Sequence, residues 1–296
     1  MDLSSVDTTA SHREYSTIPT GRRASQKASS VLKPMLVRSA PRGLTIAKGS
    51  HIGRVRQLNE DAWLVLDLSY RGRSGHTMMA LLILADGMGG HANGDLASAL
   101  AVRAAAACVM QDAILPYLSA EMSGAQHYSI HETLVRSVKA ANEVVYHNLP
   151  HAGTTLTMAL VLERKVYVAH VGDSRAYLFE DGKLRCITRD HSLAAKLVET
   201  GQTPSEEIVG HRNILYRAIG QNITIEVDTH TEPFLDGSCL LLCSDGLWTK
   251  ISDDEIAETL MSESDTQSAV GKLIATANER GGEDNITLIL AVCNGE

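Results

Sequence analysis

Short apolar runs bounded by polar or glycine-rich segments recur along the chain from residue 46 onward. Runs of about four to eight residues with this pattern are typical of buried β-strands. Asp181 and Gly182 separate two of these runs, and an Asp-Gly pair in that position predicts a β-hairpin. The runs that predict strands span residues 63–66, 79–84, 155–162, 165–171, 175–179, 184–187, 223–228, 239–243 and 286–292.

Apolar residues at helical spacing predict helices between groups of strands. The spacing indicates a core helix over residues 96–118 and another helix over 267–279, which ends before two glycines. Ser129 and Ser252 are each followed three residues later by Glu, the capping-box pattern that opens a helix. Strands and helices come in runs rather than in strict alternation. The expected fold class is therefore α+β, with antiparallel sheet.

The N-terminal residues differ from the rest in composition. Residues 1–45 are rich in Ser, Thr, Arg and Ala without a sustained period, so we expect a disordered basic arm there and one domain over residues 46–296. The net charge is −8, but residues 1–48 carry +5 and the remainder −13. An acidic body argues against nucleic acid as a partner, because such binding requires clustered cations. It suits a site that collects divalent cations.

Composition excludes several other classes of protein. The 296 residues, 44% of them hydrophobic, can bury one sizeable core. No uninterrupted apolar run approaches the roughly 18 residues of a membrane span, and we expect a cytoplasmic monomer without membrane contact. The five cysteines form no Cys-x-x-Cys pair, and none has an arginine six residues later. Zinc ribbons and thiol-based tyrosine phosphatases are thereby disfavoured.

Acidic side chains stand at the ends of three predicted strands. Asp86 and Asp245 follow buried runs and precede a glycine, and Asp284 comes just before the last run. Each of them alone is better explained as an ordinary turn residue. Together, in an acidic domain, they favour a site for hard divalent cations, which take carboxylate and carbonyl oxygens. Two such ions lower the pKa of bound water and supply hydroxide near neutral pH.

Arg56 is the best candidate for a substrate clamp, because a guanidinium matches two phosphate oxygens in a bidentate way. It lies close in sequence to Glu60 and Asp61. The alternative is a surface ion pair between this arginine and its acidic neighbours.

Seven short motifs follow one another along the chain, at residues 53–61, 86–91, 153–155, 171–175, 190–192, 244–248 and 283–285. This ordered series resembles the PPM family of metal-dependent Ser/Thr protein phosphatases, the type 2C phosphatases, in its compact bacterial form. The resemblance covers about residues 46 to 293. It implies a sandwich of two antiparallel β-sheets flanked by α-helices, with a cleft at one end.

The resemblance also implies two manganese or magnesium ions in that cleft. Asp86 would bridge them, with the carbonyl of Gly87 on one ion. Asp245 and Asp284 would bind the other.

Further roles are implied for the residues around this pair. Glu60 and Asp61 would serve the second ion, directly or through water, and Asp173 would join Asp245 at a weaker third ion. Arg56 would bind the substrate phosphate. The segment from residue 201 to 220 corresponds to a mobile flap beside the cleft, where Glu206, Glu207, His211 and Arg212 would influence substrate choice.

The sequence departs from the longer eukaryotic members at the proton donor. Those members have a histidine directly after the Asp-Gly pair, and here that position is Met88. An alkoxide is a poor leaving group and needs an acid. His91 and a metal-bound water are the two candidates, and His91 could instead position substrate. His170 is expected in the core, and His191 is expected to order its own loop.

The function implied is hydrolysis of phosphoserine and phosphothreonine on proteins by a hydroxide bridging the two ions. The partners would be phosphoproteins and a bacterial Ser/Thr kinase that the enzyme opposes. A non-catalytic relative should have lost a metal ligand, yet Asp86, Asp245 and Asp284 are all present. A different two-metal hydrolase, such as a phosphodiesterase, would more often use histidine ligands.

Overall fold

The structure is a computed structural model that describes residues 43–72, 75–88, 93–119, 129–201 and 214–294. The expected arm lies outside the described residues up to residue 42, and so do His91 and residues 202–213. Residues 43–45, which were expected in the arm, instead begin the β-strand Gly43–His51. In the described segments, two five-stranded antiparallel sheets pack face to face between two layers of helices. The expected α+β sandwich is confirmed.

The first sheet has the strand order β1-β12-β11-β8-β9. Its strands, in chain order, are β1 Gly43–His51, β8 Arg175–Glu180, β9 Lys183–Cys186, β11 Cys239–Cys243 and β12 Ile286–Asn294. The second sheet has the order β10-β7-β6-β5-β2. Its strands are β2 Asp61–Asp67, β5 Met79–Asp86, β6 Leu156–Leu162, β7 Lys165–Val171 and β10 Asp228–Pro233. A small ribbon joins β3 Tyr70–Gly72 to β4 Gly75–Thr77.

Helices cover the outer face of each sheet. The second sheet carries α1 Gly94–Val109, a π-helical turn Met110–Ile114, α2 Leu115–Leu118 and α3 Ile130–Asn148. Short helices follow at α4 Leu193–Glu199 and α5 Asp245–Trp248. The first sheet carries α6 Asp253–Ser262 and α7 Thr266–Glu279. Both capping boxes are present, because Ser129 and Ser252 each accept from the backbone N–H of the glutamate three residues on.

Strand β5 shows why these sequences form a layered core. All its residues up to Ala85 are buried, and their side chains alternate between two layers. Leu81 and Ile83 pack under the helices, whereas Leu82 and Leu84 pack between the sheets. A strand buried on both faces reads as a continuous apolar run, which is the pattern seen in the sequence.

Most predicted elements are confirmed within a few residues. The hairpin between β8 and β9 turns at Asp181 and Gly182 with φ of 51° and 80°, both in the left-handed region. The strand predicted over residues 223–228 is wrong. The carbonyl of its first residue, Ile223, and that of the preceding Asn222 accept from the side chain of Asn142 instead of joining a ladder.

The strand in this region is β10, which begins at Asp228 and pairs with β7. Its sequence is mostly polar, because it is an edge strand with partly exposed side chains. Hydrophobic periodicity gives little signal for such a strand.

Among the described residues, one helical stretch, Gly94–Leu118, is long and apolar enough to cross a membrane by length and composition alone. Its buried residues, which include Ala97, Ala101, Ala105 and Val109, pack in the core against α3 and the second sheet. Core packing therefore accounts for its apolar character.

His170 is fully buried in β7, as the sequence predicts. Its Nε2 donates to the carbonyl of Arg189 at 3.1 Å, so its Nδ1 accepts from the hydroxyl of Thr157 at 2.9 Å. Burial lowers the pKa of His170 to about 3 from its ordinary value of 6.5. The ring is therefore neutral in the folded protein.

This histidine should make the protein less stable in mild acid. Below pH 6.5 the unfolded chain binds a proton at His170 that the folded protein does not, so the free energy of unfolding falls as the pH falls towards 3. The loss should reach about 2 kcal/mol at pH 5. Urea titrations between pH 7 and pH 5 should show a weaker pH dependence for His170→Asn. The exposed His147→Asn is the control, and parallel slopes in all three proteins would contradict the prediction.

Candidate active site

The predicted acidic residues converge at one end of the two sheets. Asp61 begins β2 and lies directly opposite Asp86, the last residue of β5. In the other sheet, Asp173 comes just before β8, Asp245 just after β11 and Asp284 just before β12. Those three strands are adjacent and antiparallel, with Cys243 opposite both Arg175 and Leu288, so their ends meet at the same edge. The sandwich brings both sets together.

The carboxylates of this cluster are buried or half-buried, and they repel one another. Asp173 is 5% exposed and Asp245 is 9% exposed. Burial raises the pKa of Asp61 to about 6 and that of Asp173 to about 7. Burial also raises the pKa of Asp86 and Asp245 well above the usual range, and the neighbouring aspartates raise each further. Within the described residues, the protein's own cations do not fully offset the negative charge of these carboxylates.

This cluster fits divalent cations. Oxygen Oδ1 of Asp61 is buried without a hydrogen-bond partner, whereas Oδ2 accepts from the hydroxyl of Ser244 at 2.9 Å. A cation would both satisfy that oxygen and offset the repulsion. Within the described residues, no three His, Cys, Asp or Glu side chains form a preformed coordination sphere. The fit therefore rests on burial, charge and the unpartnered oxygen.

The backbone beside Asp86 is held very close to its neighbours. A Cβ on Gly87 would lie 2.4 Å from the carbonyl oxygen of Gly94 and 2.6 Å from that of Glu60, so only glycine fits. The Asp86 N–H donates to the hydroxyl of Thr155 at 2.9 Å, and the Thr154 hydroxyl donates to the Asp86 carbonyl at 2.8 Å. The two threonines thus fix the segment from both sides.

Arg56 lies within reach of two of these acids. Its Nη2 donates to Oδ2 of Asp284 at 2.6 Å, and its Nη1 lies 3.8 Å from Oε2 of Glu60. The guanidinium is about one-third exposed, so it can also meet a ligand from solvent. Burial raises the pKa of Glu60, opposed by the charge of Arg56. Both readings of Arg56, phosphate clamp and ion pair, are compatible with this position.

Asn285 holds the loop that carries Arg56. Its Oδ1 accepts from the N–H of Glu60 at 2.8 Å, and its Nδ2 donates to the carbonyls of Ile52 and Leu58 at 2.9 and 3.0 Å. One buried amide therefore satisfies three backbone groups of the loop. Such side-chain bonds replace regular secondary structure where the chain is irregular.

The loop of Asp173 is held by an aromatic side chain from the short helix α5. Trp248 donates its indole N–H to the carbonyl of Asp173 at 3.0 Å. The guanidinium of Arg175 lies 3.7 Å from the ring of Trp248 and forms a bidentate pair with Asp190 at 2.8 and 2.9 Å. Stacking and ion pairing thus fix the strand end that presents Asp173.

Sequence reasoning missed the residues that support the acids. Ser244, Trp248 and Asn285 lie in motifs of the sequence next to or near an aspartate, and Thr155 lies in the motif of residues 153–155, which contains no acid. Their polar side chains beside apolar strands were the available signal, but their partners are distant in sequence.

Met88 occupies the position of the expected eukaryotic histidine and packs over the backbone. Its Cε would lie 2.0 Å from a Cβ on Gly153, so this motif glycine makes room for the methionine. The N–H of Met88 donates to the carbonyl of Gly153 at 3.0 Å. His91 remains a prediction as proton donor, since it lies outside the described residues.

A model of the protein phosphatase 2C family matches residues 49–291. The chain belongs to this family. A serine/threonine phosphatase of Listeria monocytogenes is 38% identical over 246 residues, which cover 80% of this chain and 91% of that protein. The family membership predicted from the motifs is confirmed.

Solved phosphatase structures share the fold. The Mycobacterium tuberculosis serine/threonine phosphatase PstP/Ppp superposes with a TM-score of 0.68 at 33% identity, over 85% of this chain and 99% of that one. A catalytic domain of the phosphatase PstP, in complex with two manganese ions, gives a TM-score of 0.65 at 33% identity, over 84% and 98% of the two chains. This chain therefore shares its fold with a phosphatase that binds two manganese ions.

Proposed function

We propose that this phosphatase hydrolyses phosphoserine and phosphothreonine on protein substrates, with its acidic cluster as the metal centre. One observation carries the proposal: five aspartates from two sheets meet at one edge, and an arginine lies against one of them. A phosphate dianion can bind beside such acids only when cations offset their charge. The site thus requires metal for its substrate as well as for its own stability.

Different acidic residues would bind different metal ions. Asp86, Asp245 and Asp284 would hold two ions with the Gly87 carbonyl, Glu60 and Asp61 would complete the second ion's ligands, and Asp173 would serve a weaker third. Bound manganese or magnesium supplies a hydroxide nucleophile near neutral pH and neutralises developing charge.

Arg56 would orient the phosphate. Its guanidinium projects from a loop fixed by Asn285, and its partial exposure leaves N–H groups for the ligand. A bidentate contact to two phosphate oxygens would align the phosphorus for in-line attack.

Three further proposals concern the opposing enzyme, the location and the oligomeric state of the phosphatase. A protein whose Ser and Thr residues are repeatedly dephosphorylated needs a kinase to restore the phosphate, so we propose a Ser/Thr kinase as the opposing enzyme. We also propose that the phosphatase acts as a cytoplasmic monomer. Sedimentation of the purified protein tests the monomer, and dephosphorylation of a co-expressed kinase tests the partner.

The decisive experiment is hydrolysis of a phosphothreonine peptide and a small aryl phosphate, with manganese, with magnesium and with a chelator. We expect activity on both substrates with metal and none with chelator. A phosphodiester is the comparison substrate. Full activity with chelator, or preference for the diester, would overturn the proposal.

A further inference from the structure

His191 lies between the loop of Asp173 and the segment of residues 214–217. It is 1% exposed. Its N–H donates to the carbonyl of Gly172 at 2.7 Å, and its own carbonyl accepts from the N–H of Tyr216 at 2.9 Å. The neighbouring Ser192 forms a bridge with Leu215. The histidine is thus connected by its backbone to both segments.

The ring of His191 adds a contact of its own to the Asp173 loop. Its Nδ1 lies 3.0 Å from the N–H of Gly172, so Nδ1 must accept and carry no proton. The neutral ring then has its proton on Nε2, which donates to Oδ2 of Asp228 at 3.2 Å. The other tautomer would satisfy only the contact of Arg217 with Nε2, at 3.0 Å.

Arg217 holds Asp228 in place as the acceptor. Its Nη1 donates to Oδ1 of Asp228 at 2.7 Å, and its Nη2 donates to Glu226 at 2.8 Å. The chain of contacts therefore runs from residues 214–217, through Asp228 and His191, to the peptide N–H of Gly172.

Gly172 has little freedom in this arrangement. Its φ is +114°, and a Cβ there would lie 2.6 Å from the Cβ of Thr155. Its peptide is held between Thr155 on one side and the ring of His191 on the other. The next residue is Asp173, one of the buried acids of the cluster, so a shift of this peptide would also shift that carboxylate.

We propose that His191 is a positioning residue that places Asp173 in the metal centre by accepting the hydrogen bond of the Gly172 N–H. The proposal rests on the assignment of the acidic cluster to metal binding. It gives the Asp-His-Ser motif a role in cation binding, beyond the ordering of its own loop. It also links residues 214–217 to the proposed metal centre through the backbone and the ring of His191.

Two amide variants distinguish a role of His191 as hydrogen-bond acceptor from a role of its ring in packing alone. In His191→Asn, the side-chain oxygen can take the place of Nδ1 and still accept from Gly172. In His191→Gln, the longer amide reaches Asp228 but offers no acceptor at the Nδ1 position. Both remove the ring and its packing, so a purely structural role predicts similar losses in the two.

The experiment compares these variants in manganese titrations, by calorimetric binding, by thermal unfolding with chelator, and by kcat and KM on a phosphothreonine peptide. We expect the Gln variant to need about tenfold more manganese than the Asn variant, with similar unfolding temperatures. Asp228→Asn, which leaves the Nδ1 acceptor, should follow the Asn variant.

Equal manganese requirements for the two amide variants, or a weaker binding by the Asn variant, would overturn the proposal. The calorimetric readout keeps the test independent of the proposed function. A wild-type protein that binds manganese but hydrolyses no phosphopeptide would refute the function, and the comparison of the variants would still decide the role of His191.

Discussion

Asp245→Asn is expected to abolish manganese-dependent hydrolysis and, at the same time, to stabilise the metal-free protein. Asp245 is 9% exposed, and its charge is opposed by burial and by the charges of Asp173, Asp284 and Asp61. An isosteric amide removes one of these repelling charges. Activity should fall by about a thousandfold, because metal catalysis is worth several kcal/mol.

The gain in stability should be about 1–3 kcal/mol without metal, which corresponds to a rise of several degrees in Tm for a chain of this size. Manganese at one hundred times its Kd should raise the free energy of unfolding of the wild type by about 2.7 kcal/mol, and should raise its Tm accordingly. The variant should lose most of this rise. Differential scanning calorimetry with chelator and with manganese measures both effects.

Glu258→Gln is the matched control, since it makes the same change of charge at an exposed position on α6. It should alter neither activity nor the response to manganese. If Asp245→Asn retained manganese-dependent activity, or if its metal-free Tm fell, Asp245 would not be a member of a charged metal centre.

The fold could be predicted because its strands are buried on one or both faces. The run that forms β5 is apolar at every position that packs in a core, and the capping boxes at Ser129 and Ser252 use contacts within four residues. Strand β10 could not be predicted, because its pairing with β7 depends on the edge of a sheet that is defined by distant residues.

The acids of the site could be predicted as a set because each stands at a strand end in a recognisable motif. Their supports could not, since Asn285 and Glu60 are 225 residues apart and Ser244 and Asp61 are 183 residues apart. The close pairing of Arg56 with Asp284 likewise joins residues 228 apart. These contacts depend on which strand ends the sandwich brings together.

Arg56→Ala is expected to weaken phosphopeptide hydrolysis far more than manganese binding. The guanidinium is the cation closest to Asp284, at 2.6 Å, among the contacts that the described residues make to that acid. Loss of a charge-assisted bidentate contact to phosphate costs about 2–4 kcal/mol, so kcat/KM should fall by about one hundredfold or more. Manganese binding should be unchanged or tighter, because Oδ2 of Asp284 no longer shares its charge with an arginine.

Two further variants test whether the loss of kcat/KM comes from the guanidinium of Arg56 itself. Arg56→Lys keeps the charge but not the planar pair of donors, so it should restore only a small part of the lost kcat/KM. Arg54→Ala removes a neighbouring exposed cation whose Nε donates to the carbonyl of Asn278 on α7, and it should leave phosphopeptide hydrolysis nearly unchanged. Calorimetry with manganese and steady-state kinetics on the phosphothreonine peptide separate the two kinds of loss. If Arg56→Ala weakened manganese binding and phosphopeptide hydrolysis to the same extent, Arg56 would act by holding Asp284 in place, and the phosphate would need a different partner in the cleft.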